Sequence, residues 1–186
     1  MSERRHGHGD GQAKLEAEHR ERLLAEFLDS PEGERWRGDE DAEEVVRTAI
    51  AFALRRNHVG PTAVAAEYNY RDPLCWTPET LATFMTSWLA RTVPRELPFF
   101  RRVPDVVPDW VRYAGRVRGV PAESLSESVQ AIEDLREEML ETVNDPEAWG
   151  AAKTFALAAH TGGVDLSDPD ALTAFIEQYS ADARAA

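Results

Sequence analysis

The stretch Thr77-Pro78-Glu79-Thr80-Leu81-Ala82-Thr83-Phe84-Met85-Thr86-Ser87-Trp88-Leu89 decides the fold class. Leu81, Phe84, Met85, Trp88 and Leu89 recur at i, i+3, i+4, i+7 and i+8, which places them on one face of a 3.6-residue helix. Thr77 is a suitable N-cap and Pro78 suits the first helical position, where a missing N–H costs nothing. Upstream, the same period returns in Leu15, Leu23, Leu24, Phe27 and Leu28, and stops before Pro31. It returns again between about Asp39 and Asn57, where Val45, Val46, Ala49, Ile50, Phe52, Ala53 and Leu54 form a set too wide for a surface stripe. That helix is expected to be central. Its acidic start and its end at Arg55 and Arg56 complement the helix dipole.

Downstream, Pro94, Pro98, Pro104 and Pro108 predict a series of short turns before Trp110 to Val117 continue as helix. Pro121 is expected to open the longest helix, with Leu125, Val129, Ile132, Leu135, Met139 and Val143 on one seam. Asp145-Pro146 and Asp168-Pro169 each read as an N-cap followed by proline. The first predicts a helix that ends at Gly162-Gly163, and the second a helix carrying Leu172, Phe175, Ile176 and Tyr179. His58 to Trp76 reads as the longest irregular stretch. No run of alternating β-branched residues bounded by turns marks a strand. The expected fold is therefore all-α: a single orthogonally packed bundle of about seven helices over residues 13–186, behind a flexible polar tail at 1–12. Trp76, Trp88, Trp110 and Trp149 are its expected large core or near-core anchors.

Composition excludes several function classes. A net charge of −13 on 186 residues opposes phosphate backbones, so nucleic acid is not an expected partner. Pro61 to Tyr68 followed by Thr77 to Leu81 superficially resembles a helix-turn-helix. Its second helix offers Thr77, Glu79, Thr80 and Thr83 where basic and amide side chains would be needed. No apolar run approaches a membrane span, and the polar start carries no apolar signal core, so the expectation is a cytoplasmic protein with no membrane partner. The single cysteine, Cys75, leaves no thiolate cluster and reads as apolar filler beside Trp76. Glu16 and His19 have the i, i+3 spacing of di-iron bundles, but that chemistry needs a second such motif and two further glutamates. No metal or cofactor is expected. The nucleophile elbow, the Ser-x-x-Lys motif and the glycine-rich phosphate loop are missing. No catalytic residue can be assigned on that basis, and the sequence leaves open whether the chain is an enzyme.

One region runs against the overall charge. Residues 91–119 carry seven arginines against Glu96, Asp105 and Asp109. Arg91, Arg95, Arg101, Arg102, Arg112 and Arg116 are the candidate ligand-binding residues, for a carboxylate, a phosphate or an acidic partner. The competing expectation is that they pair inside the fold with the acidic excess of the C-terminal helices.

Scattered positions also carry a resemblance: Trp76-Thr-Pro78, Trp88-Leu89, Val93-Pro-Arg95, Arg102-Val-Pro-Asp105, Trp110 with Tyr113-Ala-Gly-Arg116, and Asp145-Pro with Ala148-Trp-Gly150 and Lys153. At these the chain resembles a family of uncharacterised α-helical proteins from actinobacteria. The resemblance implies a fold and a taxon, and no site residue. Taken together, the expected function is a non-catalytic helical interaction module that binds another protein or forms a homo-oligomer. The alternative is an enzyme or small anionic-ligand binder with a pocket near Tyr68, Trp76 and the 91–118 arginines.

Overall fold

In a computed structural model, residues 7–55, 72–165 and 167–185 are described. They form α-helices joined by short turns, and among them no strand occurs. The chain is all-α, as the periodicity predicts. The first helix, α1, spans Gly7–Leu28, so helix is present from Gly7 onward. Residues 1–6 of the expected tail lie outside the described residues, as do residues 56–71, with Tyr68, Tyr70 and most of the expected irregular stretch.

α2 (Glu40–Arg55) is the central helix. Asp39 starts it: its Oδ1 accepts the Ala42 N–H at 3.1 Å, and Glu43 reaches back to the Gly38 N–H at 3.1 Å. Ala42, Val45, Val46, Ala49, Ile50, Phe52 and Ala53 are all buried. α2 packs between α1 and α5 (Leu97–Val117). The decisive stretch forms α3 (Pro78–Thr83) and α4 (Leu89–Thr92), capped by Thr77 and continuous through one widened turn at Phe84–Trp88. There the Leu89 N–H bonds the Phe84 carbonyl five residues back. This turn gathers an aromatic cluster of Phe52, Trp76, Phe84 and Trp88, with ring centroids 5.2–5.9 Å apart.

The proline-rich stretch corrects the expectation of short turns. Residues 97–117 are one helix, with Pro98 in its first turn and Pro104 and Pro108 inside it. An interior proline costs a helix about 3 kcal/mol. Against that, Phe99, Phe100, Val103, Val106, Val107, Trp110, Val111 and Tyr113 are all buried, each contributing roughly 1.5–3 kcal/mol. Burial of one whole face outweighs two lost hydrogen bonds. The long helix expected from Pro121 is also corrected. Pro121 precedes a 3₁₀ turn at Ala122–Leu125, then α6 (Ser126–Asp134) and α7 (Arg136–Asn144) meet at Leu135. The joint is a bend: Leu135 N–H still bonds Ala131, and Met139 N–H still bonds the Leu135 carbonyl. Ile132, Met139 and Val143 keep the expected seam against the core.

Asp145-Pro146 likewise starts a 3₁₀ turn and not a helix; α8 (Ala151–Thr161) begins after Gly150. A Cβ at Gly150 would stand 2.4 Å from the Arg91 carbonyl, which accepts the Gly150 N–H at 3.1 Å. Asp168 does cap α9 (Pro169–Ala185), accepting the Asp170 N–H at 2.9 Å. α9 is joined to α8 by Phe155, Phe175 and Tyr179, apart from the main core. Of the four expected tryptophan anchors, Trp110 and Trp76 are buried, Trp88 is half-buried against the core, and Trp149 is half-buried with its indole N–H on the Val143 carbonyl.

One buried side chain is out of character. Lys153 is 1% exposed, and its ammonium lies 5.0 Å from the ring centroids of both Phe100 and Trp149 and 3.4 Å from the Val143 carbonyl. It sits in the first turn of α8, where the helix dipole also disfavours a cation. Burial pushes its amine down to about 8. Unfolded lysine titrates near ~10.4, so between these values the unfolded chain binds the extra proton and stability rises with pH. Tyr113, whose hydroxyl is held above its ordinary value by burial, reverses the slope above about pH 10. The other lysine, Lys14, is exposed. Urea unfolding should therefore show stability increasing from pH 8 to 10, within the window those two values set. Lys153→Met should flatten that slope and add about 1–3 kcal/mol at pH 7. An unchanged slope in the variant would assign the titration to another group.

Candidate functional site

α5 carries the arginines, and its neighbours decide what they do. Arg95 donates to Glu44 at 2.8 Å, Arg102 pairs with Asp39, and Arg112 pairs with Asp109 at 2.9 Å. Arg116 holds Glu32 through two bonds of 2.7 and 2.9 Å, and Arg118 holds Asp72 at 2.8 Å. The Arg116 guanidinium keeps the Glu32 carboxyl below its ordinary value. Arg91 and Arg101 are exposed, and no described carboxylate pairs with them. Internal pairing thus accounts for four of the six candidates, but the expected partners are wrong. The carboxylates come from α2, from the connection between α1 and α2, and from α5 itself. α5 packs against α2, which brings those acids within reach. The C-terminal side instead supplies a cation, Arg136 on α7, which pairs with Asp105 at 3.1 Å.

The most buried carboxylate among these contacts is Asp109. Its side chain is 11% exposed; it accepts hydrogen bonds from Trp36 Nε1–H and Arg112, each at 2.9 Å, and forms an ion pair with Arg35 at 2.6 Å. The Arg35 guanidinium lies 4.4 Å from the Trp36 ring centroid, and that of Arg102 lies 5.4 Å from it. Trp36 is the strut that ties this connection to α5. The signal was present in Asp109 itself, an acid within the apolar run from Val106 to Val111.

Beside this strut, an open groove of about 880 Å³ runs between α5 and α6. Its floor is apolar: Pro108, Val120, Leu125, Val129 and Ile132. Arg112, Arg116 and Glu32 stand along one side, and Ser126, Gln130 and Glu133 along the other. Two glycines make this shape. Gly119, at φ 70°, turns the chain after α5 in a conformation that other residues rarely adopt. Gly115 lets Leu125 seat directly on α5, since a Cβ there would lie 2.3 Å from Leu125 Cδ1. Of the six arginines, then, the structure brings Arg112 and Arg116 to one groove. Arg95 lines a separate, acid-rich trough of about 800 Å³ between α2, α8 and the start of α5. Arg91, Arg101 and Arg102 line neither. The groove floor is what sequence reasoning missed, because the α6 positions looked like core seam.

Beside Trp76 lies a smaller cavity of about 180 Å³, with Cys75, Val111, Ser128 and Arg118 among its walls; Tyr68, which the expected pocket included, lies outside the described residues. Ser128 Oγ donates to the Trp76 carbonyl at 3.1 Å, and Arg118 is held by Asp72. Val120 and Leu125 separate this cavity from the groove. His19 of the Glu16–His19 pair lies 2.6 Å from an Arg22 nitrogen, on the exposed surface of α1. Among the described residues no group of three or more His, Cys, Asp or Glu side chains is placed to hold a metal ion. None of the described helices is long and apolar enough to cross a membrane. Compared with known proteins, the chain matches no family model, no curated protein and no solved structure.

Asp109→Ala should lower stability by about 3 kcal/mol, because it leaves two guanidiniums and an indole N–H without their shared acceptor. Arg91→Ala and Arg101→Ala should each change it by less than about 0.5 kcal/mol. Urea unfolding measures both, and equal small effects for all three would remove Asp109 from its central place.

Proposed function

We propose that the protein is a non-catalytic helical interaction module, and that its docking surface is the groove between α5 and α6. The observation that carries this reading is the pairing of an apolar floor with charged sides in an open trough. Val120, Leu125 and Val129 are half-buried there, apolar surface that a partner can cover. A trough of this form suits an amphipathic segment, with apolar anchors below and polar groups at the rim. The alternative, a small anionic ligand in the cavity beside Trp76, has one arginine at its wall, and Asp72 already holds that guanidinium.

A photo-crosslinking residue at exposed Ser126 should trap a protein from a lysate of the source organism, while one at exposed Glu141 on α7 should not. The trapped protein, once purified, should bind the native chain with a Kd of roughly 10 μM or tighter. Val129→Glu, which puts a charge on the groove floor, should weaken that binding at least about tenfold, with circular dichroism showing that the variant stays folded. Equal binding by the variant would contradict the assignment of the groove.

A further inference from the structure

Two charge groups of opposite surplus flank the groove. In one, the single carboxylate of Asp109 is shared by Arg35 at 2.6 Å and Arg112 at 2.9 Å. The carboxylate lies beneath at 11% exposure, and the guanidiniums lie above it at 62% and 48%. In the other, the single guanidinium of Arg136 is shared by Asp105 at 3.1 Å and Glu133 at 3.0 Å. Here the carboxylates are the exposed members, at 47% and 62%, against 33% for the arginine. The first group presents one uncompensated positive charge to solvent and the second one negative charge. Each reaches the groove wall through a lining residue, Arg112 and Glu133. The remaining charged pair of the lining, Glu32 with Arg116, is balanced.

The spacing gives this polarity a length. On α5, Asp105 precedes Asp109 by four residues and Arg112 by seven, which is about 6–10 Å of helix rise. A second helix laid alongside covers that distance in one to two turns.

Resting on the docking groove proposed above, we infer that its occupant is an amphipathic α-helix of a partner protein with a defined charge order. Its apolar face meets Val120, Leu125 and Val129. An aspartate or glutamate on its flank meets Arg35 and Arg112, and a lysine or arginine one to two turns away meets Asp105 and Glu133. Each partner charge completes an alternating set of two cations and two anions. Reversal of the helix places like charge against like, so the two groups select orientation and register as well as adding affinity.

The test is selection from a phage-displayed library of helical peptides, randomised at all non-buried positions, panned against the full chain. The expected winners carry apolar residues at i, i+3 or i+4 and i+7, with an acid and a base one to two turns apart. Panning against Arg35→Gln/Arg112→Gln should erase the acid preference and keep the base. Panning against Asp105→Asn/Glu133→Gln should erase the base and keep the acid. Synthetic winners should bind the native chain at least about tenfold more tightly than the same peptides with acid and base exchanged, at low salt. Apolar winners without a charge order overturn this inference and leave the groove reading standing. Winners that bind Val129→Glu unchanged, or no winners at all, overturn the groove reading itself. A dimer of the native chain in sedimentation, dissolved by Val129→Glu, gives the groove to a second copy and overturns the partner helix.

Discussion

The buried carboxylate of Asp109 is the constraint on which the arrangement around α5 depends. A charge this enclosed is tolerated only where it is hydrogen-bonded and paired, and here two hydrogen bonds and two guanidiniums meet it. One donor, the Trp36 indole, belongs to the connection between α1 and α2, so satisfying Asp109 draws that connection onto the side of α5. Glu32 and Asp39 then fall within reach of Arg116 and Arg102, and the arginines close over the same segment. Surface ion pairs contribute about 0–1 kcal/mol each, so those outer pairs follow the geometry more than they set it.

α5 has to be one rigid helix for this to work, since Arg102, Asp109, Arg112 and Arg116 span four turns of it. The two interior prolines weaken the backbone bonding, and burial of Phe100, Val103, Val107, Trp110 and Val111 between α2, α6 and α7 compensates. Trp110 is packed so tightly against Phe27 and Tyr113 that its indole Nε1 has no hydrogen-bond partner, a cost the aromatic contacts offset. With the first connection fixed to α5, the start of α6 comes close to that helix where Gly115 leaves room. Contact at Gly115 through Leu125 holds the start of α6 against α5, and the groove is the space left beside that contact.

Much of the fold was legible because helix periodicity is a local signal. The central place of α2 and the core seam of Ile132, Met139 and Val143 follow from spacing, and the cap at Thr77 and the start of α9 at Asp168-Pro169 follow from residue type. Where the reading failed, tertiary packing overruled a local rule. Pro104 and Pro108 argue for turns until the buried face around them is counted. The bend at Leu135 and the late start of α8 come from wrapping around a core that one sequence does not display. The arginine partners were misassigned for a related reason. Charge totals locate an acidic excess in the C-terminal third, but pairing depends on which helix lies beside α5, and that is α2. The groove was hidden because Leu125 and Val129 share the period of true core positions.

The most direct measurement is a double-mutant cycle between Trp36→Phe and Asp109→Ala, read by urea unfolding at constant pH. If the Asp109 acceptor holds the first connection on α5, the two changes are coupled by at least about 1 kcal/mol, because each removes the same bond. Additivity within about 0.3 kcal/mol would mean that the indole and the carboxylate act independently, and would contradict the account.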